Sequence, residues 1–173
     1  MTMDNLKDRI RSVPDFPKAG ILFYDITTLL QDAAGFRAAV DSIALPFLDQ
    51  GIETVVGIES RGFIFGAAVA DRIGSGFIPV RKPGKLPART RRQEYALEYG
   101  TDALEIHADA VGQGARVLIV DDVLATGGTA CATRALVEGI GGAVAGFSFL
   151  IALSFLPGLE RLDGSRVSRL IEY

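Results

Sequence analysis

Residues 116–138 read, in immediate succession, as a buried strand, a polar turn and a helix. After Arg116, the run Val117, Leu118, Ile119 and Val120 is uninterrupted and apolar, the pattern of a strand covered on both faces. Residues 121–128 carry two aspartates, a threonine and two glycines and predict the turn, and residues 129–138 predict the helix. A strand that passes straight into a helix belongs to a parallel sheet, because the chain must cross one face of the sheet before adding a neighbour in the same direction. The order recurs. Residues 52–58 predict a strand, 59–62 a loop and 63–72 a helix, and further strands are expected at 76–80, 142–153 and 167–171. The expected fold class is α/β: a mostly parallel central sheet flanked by helices on both faces. A length of 173 residues suits one domain with a single core.

The remaining segments are less regular. Leu6, Ile10 and Val13 lie at helical spacing and predict a short helix over residues 5–13, stopped by Pro14. Phe36, Val40, Ile43, Phe47 and Leu48 predict a helix over 35–48, with Gly51 beyond its end. Residues 81–92 contain two prolines, one glycine and six basic residues and read as an exposed arm. Residues 95–99 and 104–106 predict a β-hairpin turning at 100–102. From 139 to 159 no charge occurs, but four glycines between 139 and 146, then Pro157, disfavour a spanning helix and favour an interior strand. Net charge is −3 with a pI near 5.2, so a global basic field for nucleic acid is lacking and any anion must be met locally. Cys131, the single cysteine, excludes an internal disulfide. With no apolar leader at residues 1–11, a cytoplasmic location, with no membrane partner, is expected. His107 reads as a surface residue.

In an open α/β sheet the ligand crevice lies beyond the carboxyl ends of the strands, where residues 121–129 are expected. Ala125, Thr126, Gly127, Gly128 and Thr129 precede a helix, so their backbone N–H groups and two hydroxyls can converge on a phosphate, aided by the helix dipole. No Gly-x-x-x-x-Gly-Lys-Ser/Thr string occurs, which removes support for nucleoside triphosphate hydrolysis. Asp121 and Asp122 would repel an anion unless they face a hydrogen-bond donor, and a ribose diol is one. Their charge also favours a sugar whose anomeric carbon becomes positive as a bond breaks. The alternative is that the pair caps the turn.

The string Val117-Leu118-Ile119-Val120-Asp121-Asp122-Val123-Leu124-Ala125-Thr126-Gly127-Gly128-Thr129 closely resembles the phosphoribosyl pyrophosphate motif of type I phosphoribosyltransferases. The resemblance narrows to the adenine phosphoribosyltransferases through residues 13–17, 20–23, 25–27, Glu59-Ser60-Arg61-Gly62-Phe63, Arg81-Lys82-Pro83-Gly84-Lys85-Leu86-Pro87 and 97–101. It implies the type I phosphoribosyltransferase fold as one domain over residues 1–173, with a hood at about 1–34, a core at about 35–173 and a mobile lid hairpin at about 82–99. It also implies transfer of the 5-phosphoribosyl group from phosphoribosyl pyrophosphate to adenine, giving AMP and pyrophosphate, in a homodimer. Mg²⁺ is implied as cofactor, held mainly by the pyrophosphate and water with no direct protein ligand.

By the same resemblance, Ala125, Thr126, Gly127, Gly128 and Thr129 hold the 5-phosphate, and Asp121 and Asp122 the ribose hydroxyls. Ser60, Arg61, Arg81 and Lys85 would hold the pyrophosphate, with Arg61 counted among the catalytic groups. Leu22 and Phe23 would cover one face of the base and Val123 the other; Glu98 would act as general acid/base and Tyr99 would help to close the lid. Residues 81–92 gain a purpose as a water-excluding flap. The chain departs from the resemblance at Tyr24, Ala88, Val123 and Ala152, where arginine, glycine, leucine and glutamate are common. Tyr24 and Val123 are expected to border the base pocket, and Ala88 to stiffen the lid hinge. A phosphoribosyltransferase for hypoxanthine, guanine or xanthine would share the cradle but not residues 14–25 or Glu98 and Tyr99. A regulator that only senses phosphoribosyl pyrophosphate would not need Arg81, Lys85 and Glu98. A dinucleotide fingerprint at 139–142 fails because it precedes a strand.

Overall fold

The computed structural model describes residues 6–96 and 100–173. In chain order, strands β1 (Arg11–Pro14) and β2 (Leu22–Asp25) lead to helices α1 (Thr27–Gln31) and α2 (Ala33–Ala44) and a 3₁₀ turn at Leu45–Phe47. Strand β3 (Thr54–Ile58), helix α3 (Gly62–Ile73) and strand β4 (Gly76–Val80) follow, then β5 (Thr90–Ala96) and β6 (Thr101–His107). Strand β7 (Arg116–Leu124), helix α4 (Gly128–Gly139), strand β8 (Ala143–Ala152), helix α5 (Gly158–Arg161) and strand β9 (Val167–Glu172) complete the chain. The central sheet has five strands in the order β4-β3-β7-β8-β9, all parallel.

Strand alternation divides the core into two layers. Leu118 and Val120 of β7 join Val55, Phe65, Val69, Val40 and Ile43 under α2 and α3. Val117 and Ile119 point the other way and join Val56, Leu136 and Val137 with Leu104 and Ile106 of the hairpin. The hairpin therefore helps α4 to cover one face of the sheet. The α2 helix begins where the Asp32 side chain accepts from the N–H groups of Ala34 and Gly35, and α3 ends at Gly74 in the left-handed region with φ 73°. The charge-free stretch supplies β8, whose residues from Gly146 onward are buried, and no described helix is long and apolar enough to cross a membrane.

Three expectations are revised. Residues 11–14 are not helical: they pair antiparallel with β2, Val13 opposite Phe23. The helical spacing misleads because Leu6 and Ile10 are indeed buried, whereas Val13 belongs to a two-stranded ribbon whose partner lies across Pro17 and Gly20. The hairpin is longer than expected; Thr101 and Asp102 lie in β6 opposite Ala96 and Tyr95, and residues 90–92 of the arm are already strand. Asp121 and Asp122 are not in a turn. Strand β7 continues through them to Leu124, because Asp121 keeps its place beside Phe149 of β8 and Val123 beside Ile151. The turn proper is three residues long, Ala125 to Gly127.

Candidate active site

The turn after β7 stands at the carboxyl edge of the sheet, flanked by strands on both sides. Gly127 has φ 81° and ψ 0°, a left-handed conformation that a side chain would strain, and α4 starts at the next residue. Gly128 and Thr129 thus open the helix with N–H groups that have no partner within it, the arrangement that receives an anion. Ala125, Thr126, Gly127, Gly128 and Thr129 are brought together as the motif requires.

Asp121 and Asp122 lie immediately below this turn and are 8% and 5% exposed. The Asp122 N–H donates to Asp121 Oδ1 at 2.9 Å. Burial pushes the Asp121 carboxyl well above its usual range, and the Asp122 charge pushes it further. Asp122 is also raised by burial, with Arg61 pulling the other way. Arg61 Nε is 2.7 Å from Asp122 Oδ2, yet that oxygen is enclosed and accepts no hydrogen bond. Gly62, which opens α3, allows the approach: a Cβ there would stand 2.5 Å from Asp121 Oδ1. The loop after β3 and the acids at the end of β7 are therefore pressed against each other.

Basic residues gather on the β3 side. Glu59, at the exit of β3, accepts from Arg81 Nε at 3.2 Å and from the Lys82 N–H at 2.9 Å. Burial raises its carboxyl, but these hydrogen bonds and the charges of Arg81 and Lys85 leave it below the usual value. Arg81 Nη1 donates to the Lys85 carbonyl at 3.2 Å. Glu59 is thus the anchor that collects Arg81 and Lys85 next to Ser60 and Arg61, and the Glu59–Ser60 peptide is cis. Lys82 is drawn aside, its Nζ bonded to Asp102 Oδ2 and to the Tyr95 hydroxyl. Neither Glu59 nor the Lys82–Tyr95–Asp102 group was expected as part of the site. Glu59 opens the string Glu59-Ser60-Arg61-Gly62-Phe63, which was the available signal for the first, and the hairpin register that sets Tyr95 opposite Asp102 was the signal for the second.

The β1–β2 ribbon and the start of α1 enclose with Arg61 a cavity of about 380 Å³, lined by Val13, Phe16, Phe23, Asp25, Thr27 and Arg61. The Arg61 guanidinium stands 5.2 Å from the Phe23 ring centroid, and Phe16 meets Phe23 edge to face at 5.1 Å. Hydrogen bonds from the Thr27 N–H, the Thr27 hydroxyl and Arg11 hold the Asp25 carboxyl down at about 2. Of the expected base contacts, Phe23 lines this cavity; Leu22 is exposed and not among its lining, and Val123 is half-buried against the α2 and α3 layer. Tyr24 does not border it either, since its ring stacks on Tyr173 at 3.7 Å, on the alternate face of β2. Ala152 is buried at the end of β8. His107 is half-buried, its Nε2 enclosed without a partner, and is not the surface residue expected. Glu98 and Tyr99 lie outside the described residues.

Comparison with known proteins agrees with this geometry. The model of the phosphoribosyl transferase domain matches residues 27–154. The chain is 57% identical over 171 residues to the adenine phosphoribosyltransferase of Solibacter usitatus, covering 99% of each. It is 59% identical over 169 residues to that of Clostridium perfringens, covering 98% of each. The structure of adenine phosphoribosyltransferase from Thermoanaerobacter pseudethanolicus superposes with a TM-score of 0.96 at 52% identity, over 99% of this chain and 100% of that one. The Saccharomyces cerevisiae structure, complexed with an imino-altritol bisphosphate and adenine, gives 0.91 at 38% identity over 97% of each chain. A glycine turn that opens a helix, a buried acid pair and a basic loop thus coincide with full-length similarity, and the chain belongs to the phosphoribosyl transferase family, among the adenine phosphoribosyltransferases.

Proposed function

We propose that this chain carries out purine salvage, transferring the 5-phosphoribosyl group of phosphoribosyl pyrophosphate to adenine and releasing AMP and pyrophosphate. The observation that carries the reading is the buried acid pair near the end of β7, Asp122 ion-paired with Arg61 at 2.7 Å, just ahead of a glycine turn that opens a helix. The turn residues Ala125 to Thr129 receive the 5-phosphate, and Asp121 and Asp122 accept from the ribose hydroxyls. Ser60, Arg61, Arg81 and Lys85 bind the pyrophosphate, whose charge matches theirs. As the bond from the anomeric carbon to pyrophosphate breaks, positive charge grows on the sugar beside the two carboxylates, which stabilise it more than the ground state. Adenine N9 then bonds to that carbon and Glu98 takes up or returns the purine proton.

Phe23, with Arg61 across its ring, forms the apolar wall for the base, and Tyr99 helps to close the site. The relatives from S. cerevisiae and Giardia lamblia, solved with adenine and 9-deazaadenine, support a purine there. Among the described residues no group of three or more His, Cys, Asp or Glu side chains could hold a metal ion. Mg²⁺ would be carried by the pyrophosphate and water, where it would neutralise the leaving group. Residues 1–34 serve as hood and 82–99 as lid of one domain, acting as a homodimer in the cytoplasm.

An assay supplying phosphoribosyl pyrophosphate and Mg²⁺ with each purine separately tests the reading. AMP forms from adenine, with little product from hypoxanthine or guanine. Equal turnover of all three removes the adenine assignment, and no turnover with any purine removes the transferase.

A further inference from the structure

The phosphate turn is gripped from two sides by parts of the chain outside its motif. On one side β5 lies against it: a Cβ at Gly128 would stand 3.1 Å from the Tyr95 ring and 3.3 Å from the Ala96 carbonyl. On the other side α5 is closer still. A Cβ at Gly158 would be 2.3 Å from the Ala125 carbonyl, and one at Gly127 would be 3.2 Å from Gly158 and 3.4 Å from Arg161 Cβ. Arg161 then reaches back, its Nη1 donating to the Thr126 carbonyl at 3.1 Å, while its own carbonyl accepts from Cys131 Sγ of α4 at 3.6 Å.

The Arg161 contact falls on the peptide that matters most for an anion. A turn that binds phosphate through N–H groups must keep its carbonyls off the ligand, since a carbonyl oxygen facing the phosphate repels it. In a planar trans peptide the C=O and N–H point in opposite directions. Holding the Thr126 carbonyl on the side of α5 therefore turns the Gly127 N–H away from α5. Gly127 is the residue most able to lose that orientation, because a glycine at φ 81° has the widest choice of alternatives. A guanidinium hydrogen bond opposes the flip more strongly than a neutral donor would.

We propose that Arg161 is a positioning residue for the 5-phosphate, acting through the Thr126–Gly127 peptide. The inference rests on the proposed function, since it takes the turn to be the phosphate site. Wild type, Arg161→Lys and Arg161→Ala are compared in steady-state kinetics and by calorimetric titration with ribose 5-phosphate and, separately, inorganic pyrophosphate. Arg161→Ala raises KM for phosphoribosyl pyrophosphate and Kd for ribose 5-phosphate about tenfold, the effect of one hydrogen bond to a charged group. It leaves kcat within about twofold and the Kd for pyrophosphate unchanged, because neither depends on that peptide. Arg161→Lys, which keeps a cationic donor, recovers most of the loss. Arg161 is exposed, so neither change empties the core. Unchanged ribose 5-phosphate binding in Arg161→Ala overturns the inference, as does an equal weakening of ribose 5-phosphate and pyrophosphate with a lowered Tm, which marks a purely structural role. A wild-type chain that binds no ribose 5-phosphate removes the phosphate site itself, and is told apart from the other outcomes by needing no variant.

Discussion

Asp121 is a buried carboxyl in a central strand, next to a second buried acid. Its carboxyl is pushed up by burial and by Asp122, so in the ligand-free protein it binds a proton more readily than in the unfolded chain. Such a group contributes stability below the ordinary carboxylate value of about 4, and that contribution is lost as pH rises through the raised folded value. Asp121→Asn removes the charge and keeps an oxygen for the Asp122 N–H. It is expected to raise the Tm of the free protein by roughly 2–5 °C at pH 7, and by nothing near pH 4, where the native carboxyl is already protonated. In the same variant kcat/KM for phosphoribosyl pyrophosphate falls by at least about tenfold, as loss of a charge-assisted hydrogen bond demands. Thermal scans at both pH values and initial rates check the pair of effects. At this scale the sequence was informative about identity and misleading about conformation: two adjacent aspartates signal a turn, and only the ladder to Phe149 and Ile151 keeps them in β7. Glu59 was passed over for a different reason. It stands in the string Glu59-Ser60-Arg61-Gly62-Phe63, but the hydrogen bonds it accepts, from Arg81 and Lys82, come from more than twenty positions along the chain.

Between residue and molecule lies the packing of α5 on the phosphate turn. Gly158 is the tightest point, since an added methyl would meet the Ala125 carbonyl at 2.3 Å and Leu124 Cγ at 2.9 Å, and the first of these is backbone. Gly158→Ala must push α5 and the turn apart. It is expected to cost about 1–3 kcal/mol of stability, measured by urea denaturation, and to raise KM for phosphoribosyl pyrophosphate severalfold. A variant as stable as the parent with an unaltered KM contradicts this account of the clamp. The elements of the parallel sheet were readable because strands covered on both faces are continuous apolar runs and the helices between them keep their period. What could not be read were contacts between elements far apart in sequence, such as Gly158 with Ala125, and the short ribbon of β1 and β2, where Leu6, Ile10 and Val13 imitate one helical face. The hairpin was anticipated, but its service as a cover for the sheet, through Leu104 and Ile106, was not.

For the whole molecule, a net charge of −3 means that an anion must be met locally, and the proposed function puts that site at the carboxyl edge of the sheet with Arg61, Arg81 and Lys85. Binding there is linked to global stability, because the unfolded chain has no such constellation. Phosphoribosyl pyrophosphate at about a hundred times its Kd should stabilise the fold by about 2.7 kcal/mol and raise Tm by roughly 5–10 °C. Adenine alone, lacking the phosphates, should raise it far less. A thermal-shift series with the two ligands separates a phosphate-centred site from a base-centred one. The clamp around the turn also bears on redesign. Because residues 125–129 are wedged between Tyr95 and Ala96 in front and Gly158 and Arg161 behind, a mutant library confined to the turn explores shapes that its neighbours reject. Variants that accept a bulkier anion should emerge only when positions 158–161 or 95–96 are randomised in the same clones.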